Sequence, residues 1–130
     1  MKINICGKII IYVRNNCGEA MKIINSIEKI NELKNKNDML LLYFGSGSCG
    51  VCEAILPKIE GMLQKYQHIE TARVEAENSP ELSAKFGIFT VPAIVLLINE
   101  KETLREAGII SLINLEQKIS RYYKLYYGSN

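Results

Sequence analysis

The chain of 130 residues lacks a long hydrophobic run and carries little net charge. Its apolar stretch at residues 9–13 ends at Arg14, and the apolar run at 93–98 is also short. A secretory signal needs roughly 7–15 apolar residues and a membrane helix about 20. We therefore expect a cytoplasmic protein with no membrane contact. A net charge of +2 gives no reason to expect nucleic acid as a partner.

Histidine and cysteine are scarce. His68 is the only histidine, and we expect it to lie in a solvated turn rather than to act in catalysis. The four cysteines are too few for a disulfide scaffold in a chain of this size. Without an export signal we expect them to be reduced, so a closely spaced pair favours catalysis or metal binding. Cys6 and Cys17 are expected to be small buried residues.

The chain also lacks a linker rich in proline, glycine or serine, and it has no internal repeat. Its apolar fraction of 48% and charged fraction of 23% are those of an ordinary globular protein. Residues 1–130 are therefore predicted to form a single domain.

Hydrophobic patterning predicts an alternation of strands and helices. Strands are predicted where apolar residues run together or alternate, and helices where they recur every three or four residues. The predicted strands are residues 3–13 (one strand, or a hairpin turning at Gly7 and Lys8), 39–44, 69–76, 93–100 and 103–108. The predicted helices run from about 19 to 36, from the loop at 45–49 to about 66, from 80 onward, and from 112 to about 126.

This order predicts an α/β protein with a mixed sheet. The first strands, which are separated by helices, should be parallel, and the last two, joined by a short turn at 99–102, should be antiparallel. Ser79 and Ser111 are predicted to cap the third and fourth helices. In the fourth helix, one face is predicted to be shared by Leu112, Leu115, Ile119, Tyr122 and Tyr126.

Two cysteines with two residues between them, Cys49 and Cys52, stand where a strand passes into a helix. At a helix start the backbone N–H groups are unpaired and the macrodipole is positive, so a thiolate at that position is stabilised. Cys49 is predicted to be the exposed attacking thiolate. Cys52 lies one turn deeper, within reach of a disulfide, and is predicted to be the buried resolving thiol.

A metal or iron–sulfur site is the alternative for this pair. Such a site normally needs four ligands, and the other candidates are Cys6, Cys17 and His68, which do not form a second compact pair. The spacing and position of the two cysteines therefore favour redox chemistry, with no metal or cofactor.

Four landmarks together resemble the thioredoxin family, over nearly the whole chain. They are YFGSGSCGVC (43–52), Pro57 five residues after Cys52, TVPA (90–93), and Gly108 sixteen residues after Pro92. The resemblance implies the thioredoxin fold, a central mixed sheet of four to five strands flanked by four helices. It also implies that Pro92 is cis and packs beside the two cysteines.

The resemblance further implies a substrate-binding surface around the thiols. Gly50 would let the chain turn tightly into the helix. The backbone of Val91, beside Pro92, would pair with an extended substrate segment. Val51, Val91 and residues 107–109 would form an apolar docking surface.

Three positions depart from the family pattern. Tyr43 stands where the family usually carries a buried carboxylate, Ser48 where an aromatic residue is common, and Val51 where a proline is usual. An unperturbed tyrosine has a pKa near 10, so it does not move protons at neutral pH as a carboxylate does. We therefore interpret Tyr43 as a core residue. Each departure alters the expected redox potential.

These observations predict a thiol–disulfide oxidoreductase that exchanges the Cys49–Cys52 dithiol or disulfide with protein disulfides through a mixed disulfide. Electrons would come from a separate reductase, because the chain has no Gly-rich dinucleotide fingerprint. The rival hypothesis is a non-enzymatic thioredoxin-fold module that binds or senses. We expect a monomer, with a weak dimer through the tyrosines of 121–127 as the alternative.

Overall fold

A computed structural model describes residues 21–128 and the backbone of two strands nearer the amino terminus, β1 (Lys2–Ile5) and β2 (Lys8–Ile11). These two strands pair antiparallel in a sheet of their own. Of the two arrangements predicted for residues 3–13, the hairpin is therefore the one observed. Cys6 and Cys17 lie outside the described residues, so the predictions for them stay predictions.

The main sheet has four strands in the order β4-β3-β5-β6. The predicted parallel pairing of the first strands holds for β3 and β4 but not for β1 and β2, which lie in the separate sheet. β5 and β6 are antiparallel, as predicted, and β5 is also antiparallel to β3 although it follows a helix. The strands are β3 (Met39–Gly45), β4 (Ile69–Glu75), β5 (Ala93–Ile98) and β6 (Lys101–Ala107). The helices are α1 (Ile27–Lys36), α2 (Gly50–Leu63), α3 (Pro80–Lys85) and α4 (Leu112–Tyr127).

The strand β3 is buried along its whole length because helices cover both faces of the sheet. Leu41 and Tyr43 point into a core shared with α2 and α4. Leu42 and Phe44, alternating with them, point into a second core shared with α1 and α3. The continuous apolar run of β3 is typical of a strand covered on both faces, and the predicted α/β fold with a mixed sheet and four helices is confirmed.

The first helix begins later than predicted. It starts at Ile27, where the Ser26 hydroxyl accepts from a first-turn amide and caps the helix. Residues 22–24 are instead extended along the outer edge of β4, joined to Arg73 by two backbone hydrogen bonds of 2.8 Å. Ile23, which lies within the predicted helix, is 59% exposed. The prediction was wrong because the edge of β4 offers backbone partners that the local pattern does not reveal.

The turn between β5 and β6 is tighter than predicted. Ile98 pairs directly with Lys101, so only Asn99 and Glu100 lie between the strands. Their φ values of 50° and 70° are those of a two-residue hairpin turn that follows the sheet twist. β5 therefore ends at 98 rather than 100, and β6 begins two residues earlier than expected.

The caps and the buried face of the last helix differ in detail from the predictions. Ser111 caps α4 through its hydroxyl, as predicted. Ser79 occupies the N-cap position of α3, but its hydroxyl makes no capping bond and, among residues 21–128, has no hydrogen-bond partner. Tyr123, rather than Tyr126, completes the buried face of α4. Tyr126 turns outward and donates a hydrogen bond to Asn99.

The two edges of the main sheet differ in character. The outer edge of β4 is partly covered by residues 22–24. The other edge strand, β6, is largely solvent-exposed and carries four charged side chains: Lys101, Glu102, Arg105 and Glu106. Charged residues on an edge strand oppose pairing with another chain. No helix in the described part of the chain is long and apolar enough to cross a membrane.

Candidate active site

The sulfur of Cys49 caps the helix that it precedes. The chain leaves the end of β3, turns at Ser46 and brings Cys49 to the N-cap position of α2. The Cys52 amide donates to Cys49 Sγ at 3.2 Å. An N-cap side chain normally satisfies such an amide with oxygen. Here a sulfur atom lies at the positive end of the helix, as the sequence predicted.

The two thiols differ sharply in exposure. Cys49 is partly exposed, whereas Cys52 is only 2% exposed, and both are free thiols. Burial of Cys52 raises the pKa of its thiol to about 11, and the hydrogen bond with Cys49 acts in the same direction. At neutral pH Cys52 is therefore a protonated thiol beneath an accessible one.

Tyr43 lies in the core directly under the first turn of α2. Its side chain is 1% exposed, and its hydroxyl donates to the Cys52 carbonyl at 2.9 Å. Burial raises the pKa of Tyr43 well above its usual value, and a negative charge on Cys52 would raise it further. Tyr43 thus remains protonated and acts as a hydrogen-bond donor that fixes the helix start.

Gly45 is required by the ring of Tyr43. Both residues face the same side of β3, and a Cβ atom at position 45 would lie 2.9 Å from Tyr43 Cε2. Real Cβ atoms are not found that close, so the ring or the strand would have to move. The absence of a side chain at Gly45 thereby allows Tyr43 to reach Cys52.

We predict that Gly45→Ala lowers the free energy of unfolding by about 1–3 kcal/mol, the usual cost of overpacking a core. Urea unfolding followed by far-UV circular dichroism measures it. Gly47→Ala is the matched control, because no atom lies within 4 Å of a Cβ built there; its effect should stay within about 0.5 kcal/mol. Equal stability of Gly45→Ala and the parent would contradict the packing argument.

The loop before β5 lies at the same end of the sheet as the cysteines. Phe44 is opposite Ala93, so Pro92 lies where β3 passes into the Cys49 loop. The Val91–Pro92 bond is cis, as the resemblance implied. Gly108, at φ 79°, donates its amide to the Pro92 carbonyl at 2.8 Å. Within residues 21–128 no hydrogen bond is found to the Val91 backbone.

Several apolar side chains near this end of the sheet are exposed. Val51 is 59% exposed and Ile109 99% exposed, as expected of a docking surface, while Val91 is half-buried. Phe89, which sequence reasoning missed, is 91% exposed. Exposed large apolar side chains in one area are typical of interaction surfaces.

A carboxylate reaches the loop before Cys49. Glu77 accepts hydrogen bonds from the hydroxyls of Ser46 and Ser48. Those hydroxyls lower the pKa of Glu77 below its usual value. Sequence reasoning left Glu77 unassigned. The available signal was that Ser46 and Glu77 each follow one of two neighbouring parallel strands, whose carboxyl ends meet.

A part-buried ion pair flanks the site on β4. Arg73, opposite Tyr43 in the sheet, lies 2.6 Å from Glu75, and their side chains are 20% and 17% exposed. The pair is therefore largely buried rather than solvated. Glu53, which follows Cys52, is exposed and lies 3.9 Å from Arg73.

His68 lies at the far end of β4 from these residues. It is exposed, as predicted, and its ring is tilted by 33° against the ring of Tyr127, with centroids 4.9 Å apart. Within the residues that the structure describes, no group of three or more His, Cys, Asp or Glu side chains is placed to hold a metal ion.

Comparison with known proteins identifies the family. The thioredoxin family model matches residues 20–121. The chain belongs to the thioredoxin family. Thioredoxin-like protein YdfQ of Bacillus subtilis (strain 168) is 32% identical over 110 residues, which cover 85% of this chain and 98% of that protein. Thioredoxin H8 of Arabidopsis thaliana is 27% identical over 116 residues, 88% of this chain and 78% of that protein.

Solved thioredoxin structures agree with this assignment. Thioredoxin of Fasciola hepatica superposes with a TM-score of 0.72 and 26% identity, covering 78% of this chain and 98% of that one. The predicted thioredoxin fold is therefore confirmed. Membership of the thioredoxin family makes the chain, in general terms, a thiol–disulfide oxidoreductase. The roles of the individual residues stay predictions.

Proposed function

We propose that this thioredoxin exchanges its Cys49–Cys52 dithiol or disulfide with disulfides of other proteins. The observation that carries the proposal is the asymmetry of the pair: an accessible sulfur caps α2, and a second sulfur three residues later is buried beneath it. An attacking thiol must be accessible to a large substrate, whereas a resolving thiol must not compete with it.

The exchange takes place in two steps. The Cys49 thiolate attacks one sulfur of a substrate disulfide, forms a mixed disulfide and releases the other sulfur as a thiolate, which takes a proton from water. Cys52 then loses its proton and attacks the Cys49 sulfur. The products are the Cys49–Cys52 disulfide and the second substrate thiol, so two electrons pass to the substrate. A separate reductase restores the dithiol.

Surrounding residues support the approach of a polypeptide. The first-turn residues Gly50 and Val51 are exposed beside Cys49, so a substrate can reach the sulfur. Cis Pro92 offers no N–H, and the Val91 backbone next to it is available for an extended segment. Main-chain pairing of this kind gives affinity with little sequence requirement.

Catalysed reduction of insulin by dithiothreitol tests the proposal. We expect the full chain at micromolar concentration to accelerate reduction over dithiothreitol alone, followed by precipitation of the released insulin chain. A rate no higher than that of dithiothreitol alone would favour the binding or sensing module instead. Elemental analysis and an absorption spectrum of anaerobically purified protein separately test the metal alternative.

The direction of electron flow follows from the redox potential of the pair. Equilibration of the 49/52 couple with glutathione buffers gives that potential. A value around −270 mV would indicate a reductant, and one nearer −120 mV an oxidant. The cytoplasmic location and monomeric state predicted from the sequence stay predictions.

A further inference from the structure

A cavity of about 490 Å³ opens beside the loop that carries Cys49. Ser48, the residue before Cys49, forms one wall, and Val91, the residue before Pro92, forms another. Ile88, Ala84 and Phe89 line the apolar part. The volume is within the range of ligand pockets, roughly 300–1,000 Å³. Whatever lies in this cavity is therefore next to the residues proposed to hold a substrate disulfide.

Glu77 gives the cavity its charge. It lines the cavity and is solvent-exposed. The hydroxyls of Ser46 and Ser48 favour its ionised form. Glu53 and Glu75 both lie near Arg73, but in the described part of the chain no lysine, arginine or histidine forms an ion pair with Glu77. Its negative charge is therefore available to a cation brought by a partner.

The exposed ring of Phe89 complements this carboxylate. The side chain is 91% exposed, although it belongs to the cavity lining. Among residues 21–128 no other aromatic ring packs against it. An aromatic face attracts a cation and also packs against the methylene stem of a lysine or arginine. An acidic or purely apolar side chain would gain only part of these contacts.

We propose that this cavity is a specificity subsite for a basic side chain adjacent to the disulfide cysteine of a protein substrate. Glu77 pairs with the charged head, and Ile88, Ala84 and Phe89 contact the stem. This inference rests on the proposed function, because the subsite acts only if Cys49 attacks the neighbouring cysteine. It names the chemistry of the substrates that this thioredoxin prefers.

Matched peptides with one variable residue test the subsite. Each peptide carries a single cysteine joined by a disulfide to thionitrobenzoate, with lysine, norleucine or glutamate immediately before the cysteine in one set and immediately after it in another. Attack by the Cys49 thiolate on the peptide sulfur forms a mixed disulfide and releases coloured thionitrobenzoate. The Cys52→Ser background keeps that mixed disulfide intact, and Cys49→Ser gives the contribution of Cys6 and Cys17.

In at least one set we expect the lysine peptide to react about fivefold faster than the norleucine peptide at low ionic strength, the upper range for an exposed ion pair. The glutamate peptide should react more slowly than either. Glu77→Gln should bring the lysine-to-norleucine ratio to about 1. Glu81→Gln removes the same charge from the first turn of α3, outside the cavity, and should keep the parent ratio.

The outcomes separate the subsite from the chemistry. Rapid but equal release from all three peptides in both sets would overturn the subsite and leave the proposed function standing. A lysine preference that survives Glu77→Gln would also overturn it. Release no faster than from Cys49→Ser would remove the proposed function and the subsite together. A lysine preference that depends on Glu77 and weakens with added salt would support the subsite.

Discussion

Replacing Cys52 by serine is expected to stop the protein after one exchange and to leave the substrate attached to Cys49. Cys52 is buried within the first turn of the helix that Cys49 caps. A thiol held at that position attacks with an effective concentration that an external thiol cannot match. Serine has nearly the same shape but no sulfur, so the first step proceeds and the second does not.

Steady-state reduction of insulin should fall by about 10²-fold or more in Cys52→Ser, because only external thiol then resolves the adduct. Mass spectrometry under non-reducing conditions should show the chain carrying one substrate thiol at Cys49. Cys49→Ser should abolish turnover and show no such adduct, which makes it the matched control. Parent-like turnover by Cys52→Ser would contradict the assigned roles.

The rate of the resolving step is expected to rise about tenfold per pH unit between pH 7 and 10. Burial raises the pKa of the Cys52 thiol to about 11, so only a small fraction is thiolate at neutral pH. That fraction grows tenfold per unit until the pH approaches the pKa. Tyr43 stands where the family usually carries a buried carboxylate. It stays protonated over this pH range, so it does not act as a base toward Cys52. Between pH 7 and pH 10 the rate of the resolving step should therefore rise about 10³-fold.

Stopped-flow reaction with 5,5′-dithiobis(2-nitrobenzoate) measures this step. Cys49 releases a first thionitrobenzoate and becomes attached to the second, which Cys52 then displaces on forming the disulfide. The later phase should accelerate with pH and be missing from Cys52→Ser, which retains any reaction of Cys6 and Cys17. A later phase that is constant from pH 7 to 10 would show that another group activates Cys52.

Hydrophobic patterning was sufficient to predict most strands and helices, because the local preferences of those segments agree with their packing in the fold. The apolar run of β3 is typical of a strand covered on both faces. The serine before α4 and the proline that opens α3 indicate helix starts, and these local signals do not depend on what the helices pack against. At such positions the sequence has few acceptable alternatives.

The errors arose where tertiary pairing decides the structure. Residues 22–24 are compatible with a helical stripe, and only the free edge of β4 makes them extended. In α4, Tyr122, Tyr123 and Tyr126 all lie near the predicted face. The ring of Tyr66, 5.2 Å from that of Tyr123, selects the one that is buried. The spacing of apolar residues along the chain reveals neither the edge of β4 nor the ring of Tyr66.

The candidate site was predictable to the same degree. The positions of Cys49 and Cys52 followed from the strand-to-helix change and the family resemblance. The meeting of Ser48 with Glu77 and the exposure of Phe89 did not, because they depend on how loops from two strands approach each other. Departures from a family pattern, such as Ser48, indicate where to look but not what the new residue contacts.

The charges along β6 have a consequence for where an extended polypeptide could pair with the sheet. Sheet edges attract extended chains. One edge here is partly covered by residues 22–24, and the other presents Lys101, Glu102, Arg105 and Glu106. We therefore expect an extended substrate segment to pair with the backbone of Val91, as proposed above, rather than with either edge of the sheet. Binding of a polypeptide along β6, away from the cysteines, would be unproductive and would slow its release. The charged side chains of β6 disfavour such binding.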